Sequence, residues 1–324
     1  MKPFLLRPSG KDYIWGGTRL KSEFGKDYLP QNPLAETWEC SVHPDGPSRV
    51  ASGSWTDRTL ADLLATCPDY LGTSPSVKGG QGLPVLVKLI DARENLSVQV
   101  HPDDAYAQRE EGGQAGKTEM WYVVDAEPGA CLVFGLNRKT SEPEIRQSLA
   151  EGTVERYLRY VPVHRDDVFF IPSGTIHAIG RGVLIAEIQQ NSNLTYRLYD
   201  YGRLGKDGRP RALHVDKALA VADLSGAQAP RQPMRVLRYR PGFARESLSR
   251  CPYFQVDRCL LNSEGIVLEA FPESFRVLLC LSGAGQVREG AETLPLAKGD
   301  TVFIPATTPD LVLSGQAEFL LVRC

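Results

Sequence analysis

The sequence predicts a mainly β protein: two small jelly-roll barrels in tandem, with a small helical insert near residues 56–80. Three observations carry this expectation. The 30 glycines and 23 prolines punctuate many short runs of β-branched, aromatic and aliphatic residues. Helical periodicity is confined to a few short stretches. One strand-and-turn pattern occurs twice, once in each part of the chain. Strands are expected at 85–90 (VLVKLI), 96–101, 119–124, 131–134, 168–171, 183–190, 195–199, 275–281, 301–304 and 318–323. Helices are expected at 59–66, 103–111, 141–150 and 214–223, and in the third of these Ser141 and Glu144 have the spacing of a capping box. The polar, Pro/Ala-rich stretch LSGAQAPRQP at 224–233 has the composition of a linker. One unit is therefore expected over 1–225, including the helical insert, and a second over 226–324.

Composition narrows the class of function. At roughly 150 residues per domain, the 324 residues suit two units with real cores. The 37 basic and 39 acidic residues leave a formal charge of −2, with no long single-sign run. Nucleic acid and anionic membranes are thereby set aside as partners. The N-terminal stretch carries only a three-residue apolar run, and no segment approaches the ~18 apolar residues of a membrane helix, so a cytoplasmic protein is expected. Cysteines 40, 67, 131, 251, 259, 280 and 324 form no Cys-x-x-Cys pair, which predicts reduced thiols used for packing. Monomer or homodimer is left open.

The repeat is Asp167-Val-Phe-Phe-Ile-Pro172 with His177 five positions on, matched by Asp300-Thr-Val-Phe-Ile-Pro305 with Asp310 at the same spacing. An acidic turn, an apolar strand, a terminal proline and then a polar residue resemble the second sequence motif of cupins. Cupins are double-stranded β-helix barrels whose ligands point inward, so both units are read as cupin-like. All five histidines (43, 101, 164, 177 and 214) precede the linker. The second barrel is thus expected to be metal-free.

Alternation in 96-LSVQVHPDD-104 places Ser97, Gln99 and His101 on one strand face and Val98 and Val100 on the other. A half-exposed edge strand would look the same. In 117-KTEMWYVVD-125 the same period groups Lys117, Glu119, Trp121 and Val123, setting charges on an otherwise apolar strand where they need partners. The turn at Pro172-Ser-Gly-Thr delivers His177 into an apolar context, where a lone histidine is ordinarily a packed core residue. Together Gln99, His101, Glu119 and His177 offer two imidazole nitrogens and two oxygens. That set suits one Zn²⁺ per chain and is tolerable for Mn²⁺, Co²⁺ or Fe²⁺. With a single anionic ligand, the site would keep a net positive charge for a Lewis-acid role.

These residues resemble type I mannose-6-phosphate isomerase (phosphomannose isomerase) in its short bacterial form. The resemblance covers most of the first 220 residues. It rests on Trp15-Gly-Gly, Ala35-Glu36-Thr-Trp38, Pro84-x-Leu-x-Lys88, Leu96-Ser-x-Gln-x-His-Pro-Asp103, Gly116-Lys-x-Glu-Met120, Pro172-x-Gly-Thr-x-His-Ala178, and Glu187-Ile-Gln-Gln followed by Thr195-Tyr-Arg-x-Tyr-Asp200. It implies zinc held by Gln99, His101, Glu119 and His177, and an aldose–ketose isomerase whose partner is a small sugar phosphate. The remaining ninety or so residues resemble the family's second, metal-free barrel more loosely.

Isomerisation needs a base, an electrophile and a phosphate anchor. Glu187 shares a strand face with Ile185 and Gln189, matches a glutamate proposed as base in the family, and reads alternatively as the partner of a nearby lysine. Lys117 is the second candidate base. Arg197, in the apolar run LTYRLYD, suits substrate oxygens or phosphate, or else an ion pair with Asp200 or Glu187. Lys88 lies among apolar neighbours, Ser97 can donate to phosphate, and Arg203 falls where larger family members have lysine. Trp15 and Glu36 complete the substrate-binding set with Asn193, which stands where the family commonly carries aspartate. That departure weakens proposals using the aspartate in proton transfer and favours Glu187.

The near P-loop 111-EGGQAGKT-118 fails, because Glu111 occupies the first glycine position and a strand follows. Two rival readings stand: a cupin-type non-haem metal oxygenase, and a non-catalytic sugar-phosphate-binding protein. The first has no use for the buried cations, and the second none for an intact base.

Overall fold

The computed structural model describes residues 2–74, 82–226 and 235–324. Among these the strands, antiparallel throughout, form three sheets. The inner sheet runs Val168–Ile171 (β10), Glu119–Ala126 (β7), Val183–Gln190 (β12), Val85–Ala92 (β5), Glu36–Cys40 (β3) and Ser9–Lys11 (β2). Facing it is a five-stranded sheet of Tyr196–Tyr199 (β13), Val98–Val100 (β6), His177–Ile179 (β11), Cys131–Leu136 (β8) and Leu158–Pro162 (β9). The C-terminal sheet runs Val236–Arg240 (β14), Phe243–Arg250 (β15), Gln255–Leu268 (β16), Leu311–Arg323 (β20), Arg276–Glu289 (β17), Thr301–Ile304 (β19), Phe4–Arg7 (β1) and Arg49–Val50 (β4), with Glu292–Ala297 (β18) paired to β17. The fold is mainly β and cupin-like, as expected, although the two sheets of the first unit face each other without joining into one ring.

The strands β10, β7, β12 and β5 of the inner sheet are covered on both faces, which is why they read as nearly continuous apolar runs. Val85, Val87 and Leu89, with Met120, Tyr122, Leu184, Ala186 and Ile188, pack against Phe275, Val277, Phe303, Leu320 and Val322 of the C-terminal sheet. The alternate positions Ile90, Trp121, Val123 and Ile185 pack against Leu132, Phe134 and Ile179 of the five-stranded sheet. Period-two alternation therefore sends one half of each strand to a dry interface and the other half toward the cavity between the facing sheets. On its outer side the five-stranded sheet is covered by Glu142–Ala150 and Val215–Val221, through Ile145, Ala218 and Leu219.

Short helices occur at Arg19–Ser22 (α1), Leu60–Thr66 (α2), Asp104–Glu110 (α3), Glu142–Ala150 (α4) and Val215–Val221 (α5). The predicted capping box forms, with Glu144 accepting the Ser141 N–H at 2.8 Å. The insert contains α2 and a single 3-10 turn, Pro68–Leu71, among its described residues; the part of the prediction over 75–80 lies outside them. So does most of the predicted linker, over 227–233. None of the described helices is long and apolar enough to cross a membrane.

Several strands were not anticipated. The strands β14, β15 and β16 went unpredicted because polar residues interrupt their outer faces, as the mixed burial along Gln255–Leu268 records. The N-terminal strand β1 pairs with β19, Phe4 opposite Phe303, and so completes the C-terminal sheet. A buried link reinforces that junction: Lys26 Nζ lies 3.0 Å from Glu39 Oε2, which also accepts from Thr301 Oγ1 at 2.9 Å.

Candidate active site

Between the facing sheets lies a cavity of about 230 Å³ lined by Trp15, Glu36, Lys88, Ser97, Gln99, Lys117, Glu187, Asn193 and Arg197. Strand register brings them together. On the inner sheet Glu187 stands opposite Lys88 on one side and Trp121 on the other, with Glu119 opposite Gln189. On the opposing sheet Gln99 sits between His177 and Arg197. Val98 and Val100 point to the other side, into the helix-covered core, so Ser97, Gln99 and His101 face inward as their alternation predicts.

His101, Glu119 and His177 are almost fully buried, and one ligand atom from each lies within 4.8 Å of the others. His177 Nδ1 lies 2.8 Å from the Thr175 carbonyl, an acceptor, so this nitrogen carries the proton and Nε2 presents its lone pair. That Nε2 is buried without a hydrogen-bond partner among the described residues and faces Glu119 Oε2 at 3.8 Å. Two acceptors turned toward each other are satisfied by a cation between them, so the cradle fits a metal ion. Burial, then the Lys117 charge, push the His101 pKa down to about 3, and burial lowers that of His177. Both rings are thus neutral, as metal ligands must be. Burial opposes the charge on Glu119, but the Lys117 ammonium beside it holds its carboxyl well below the usual range.

Glu187 hangs beside this cradle. Trp121 Nε1 lies 2.9 Å from Glu187 Oε2 and 3.0 Å from Glu119 Oε2, so one indole N–H joins the two carboxylates. Burial, then the Glu119 charge, raise the Glu187 pKa. Lys88 Nζ stands 3.0 Å from Glu187 Oε1, so the weighed ion pair does form, with Glu187 still lining the cavity. Burial alone would lower the Lys88 ammonium, but Glu187, Glu36 and Glu119 outweigh it and raise its pKa. Lys117 Nζ lies 2.5 Å from Glu119 Oε1 and 3.1 Å from His101 Nε2.

The ion pair weighed for Arg197 is absent among the described residues. Its Nη1 donates to the Ala212 carbonyl at 2.7 Å, while its buried Nε has no hydrogen-bond partner. Asp200 is engaged instead by Arg203 and Arg211, each with Nη2 at 2.5 Å. Arg203 does not line the cavity: it donates to the Asn95 carbonyl and to Asp200. Arg211 does line it, together with Tyr13, whose ring stacks on Trp15 at 5.5 Å. Sequence reasoning missed both, because Arg211 follows a polar loop with no periodicity and Tyr13 precedes the Trp15 motif. Glu36 accepts from Trp38 Nε1 at 2.8 Å, and Asn193 donates to Asp45 Oδ2 at 2.8 Å.

Comparison with known proteins agrees with this geometry. Residues 4–127 match the family described as phosphomannose isomerase type I, catalytic domain, and residues 245–324 match the mannose-6-phosphate isomerase cupin domain. The mannose-6-phosphate isomerase of Streptococcus mutans is 37% identical over 319 residues, covering 98% of this chain and 97% of that protein. The crystal structure of the mannose 6-phosphate isomerase from Bacillus subtilis superposes with a TM-score of 0.92 at 34% identity, covering 99% of both chains. A zinc-bound mannose 6-phosphate isomerase shares the fold at a TM-score of 0.77 and 17% identity, again over 99% of both chains. With nearly full-length similarity on one side and the motif residues gathered around one cavity on the other, the chain belongs to the type I mannose-6-phosphate isomerase family.

Proposed function

We propose that the chain interconverts mannose 6-phosphate and fructose 6-phosphate, with Glu187 carrying the proton between C2 and C1. The observation that carries this reading is a buried carboxylate of raised pKa joined through Trp121 to a cation cradle. The full-length relatives named for that reaction support the substrate. Gln99, His101, Glu119 and His177 would hold the metal, which we take to be zinc from the donor set and from the zinc-bound fold relative. When bound it supplies a Lewis acid toward oxygen charge.

In the aldose-to-ketose direction Glu187 takes the proton from C2 and returns it to C1, while the O2 hydroxyl proton moves to O1, so no atom is gained or lost. Lys88 keeps Glu187 ionised when the site is ready to react. Lys117, tied to Glu119, acts as a donor toward substrate oxygen, which leaves Glu187 as the base. Arg197 and Arg211 line the cavity as phosphate partners, and Arg203 acts through Asp200 by holding Arg211 in place. Ser97, Trp15, Glu36 and Asn193 line the sugar. Four buried or half-buried cations around the cavity suit a phosphate ester and give an oxygenase nothing to do. We read 1–225 as the catalytic unit and 226–324 as the metal-free one, in a cytoplasmic monomer or homodimer.

A coupled assay for fructose 6-phosphate in deuterated solvent tests the activity. Turnover that stops on chelation and returns with zinc, with deuterium entering the sugar at C1 or C2, is the expected result. Absence of conversion by metal-replete protein would refute the reading.

A further inference from the structure

We propose that the mouth of the second barrel is a binding site for a phosphate group, standing where the first barrel has its cation cradle. Strand register makes the correspondence. In the first unit Ile171, the last residue of the repeated strand, pairs with Glu119. In the second unit Ile304, its match in the repeat, pairs with Arg276. Beyond Glu119 the inward positions are Trp121 and Val123; beyond Arg276 they are Leu278 and Cys280. A guanidinium thus occupies the place of the metal-cradle carboxylate, and the preference of the cavity is inverted in sign.

Arg276 is only 2% exposed. Its Nη1 donates to the Glu269 carbonyl at 2.6 Å, while Nε and Nη2 are buried without hydrogen-bond partners among the described residues. A buried charge with two idle donors is costly unless something accepts from them. Arg276 faces a cavity of about 480 Å³ lined also by Arg238, Arg245, Arg323, Phe243 and Phe271. An adjoining cavity of about 670 Å³ shares Arg238, Arg245 and Arg323. Among these four arginines only Arg245 has a carboxylate partner among the described residues, Asp257 Oδ2, 2.9 Å from Nε. The Arg323 guanidinium carbon lies over the Phe271 ring, 4.6 Å from its centre. Burial, reinforced by Arg323 and Arg245, pushes the Arg276 pKa down to about 10, the mark of crowded cations. Asp310, the acidic residue of the repeat, accepts the Ala270 N–H at 2.7 Å. Planar donor forks converging on a concave surface match the oxygens of a phosphate dianion, whether free or on a sugar.

The test is hydrogen exchange on the full-length, metal-loaded protein with inorganic phosphate, against sodium chloride at equal ionic strength. Phosphate is expected to slow exchange severalfold in peptides spanning 268–278 and 318–324, a readout separate from the first unit's cavity. Arg276→Gln and Arg323→Gln are each expected to weaken this protection about tenfold or more in phosphate concentration while leaving isomerase turnover unchanged. Arg323 lies nearer the rim, so its variant tests the site even where Arg276→Gln folds poorly. Protection by glucose 6-phosphate at lower concentration than by phosphate identifies a phosphate ester as ligand; the reverse identifies the free ion. Equal protection by chloride, no protection in these peptides, or full protection in the Arg323 variant would overturn the proposal.

Discussion

Glu119 and Glu187 hang from adjacent strands and share one indole hydrogen, yet their acidities are driven apart. The Lys117 ammonium holds the first ionised, while burial and the first carboxylate's own charge raise the second. That divergence is what our assignment of Glu119 as ligand and Glu187 as base requires. Replacing Glu187 with Gln should leave metal content intact and lower turnover about 10²- to 10⁴-fold. His101→Ala or His177→Ala should lose metal and activity together, as elemental analysis beside the coupled assay will read. Normal turnover in the Glu187 variant would move the base role to Lys117 or to water. The base works deprotonated, so kcat/KM should fall as pH drops through the Glu187 pKa. Because that pKa is raised, the acid limb should lie above the ordinary glutamate value of about 4.3; a limb at or below it would count against the assignment. At this scale alternation put Ser97, Gln99 and His101 on one strand face, and the motifs shared with the family said that this face looks inward. Arg211 was not legible, because which arginine of 197, 203 and 211 reaches the cavity depends on how a polar loop folds back on Asp200.

Apolar strands buried on both faces announce themselves, and β5, β7, β10 and β12 of the inner sheet are of this kind. β7 and β12 carry Glu119 and Glu187 on one face and dry packing on the other, so the two surfaces separate by residue parity. Ile188, fully buried against the C-terminal sheet, can therefore be cut without touching the cavity. Ile188→Ala should cost about 2–5 kcal/mol, seen as a lower urea midpoint, with metal content per folded molecule unchanged. Leu237→Ala on the exposed strand β14, where the side chain is 64% exposed, should shift stability by less than about 0.5 kcal/mol. Comparable losses at both positions would contradict the layered packing. β3, ETWEC, went unread because its two glutamates disguise a fully buried strand; their partners, Trp38 and Lys26, are supplied by the fold.

The two units are not independent bodies, for the inner sheet's outer face and the strand β1 both need the C-terminal sheet. A chain cut after residue 225 should expose that apolar face, bind hydrophobic dye and fail to unfold cooperatively, with recovery on co-expression of 226–324. Cooperative unfolding and metal binding by the shorter chain alone would show the packing to be dispensable. Motif spacing and side-chain parity, properties of a few neighbouring residues, were enough to specify the β class and the repeat, and together with the family resemblance they pointed to the His101, Glu119 and His177 cluster that the fold brings together. Packing alone decided that the first strand joins the last sheet, that Arg211 displaces Arg203 at the cavity, and that Arg276 takes the place of a glutamate in the second barrel. Those pairings join residues far apart in the chain, and no local pattern encodes which distant strand will close against which.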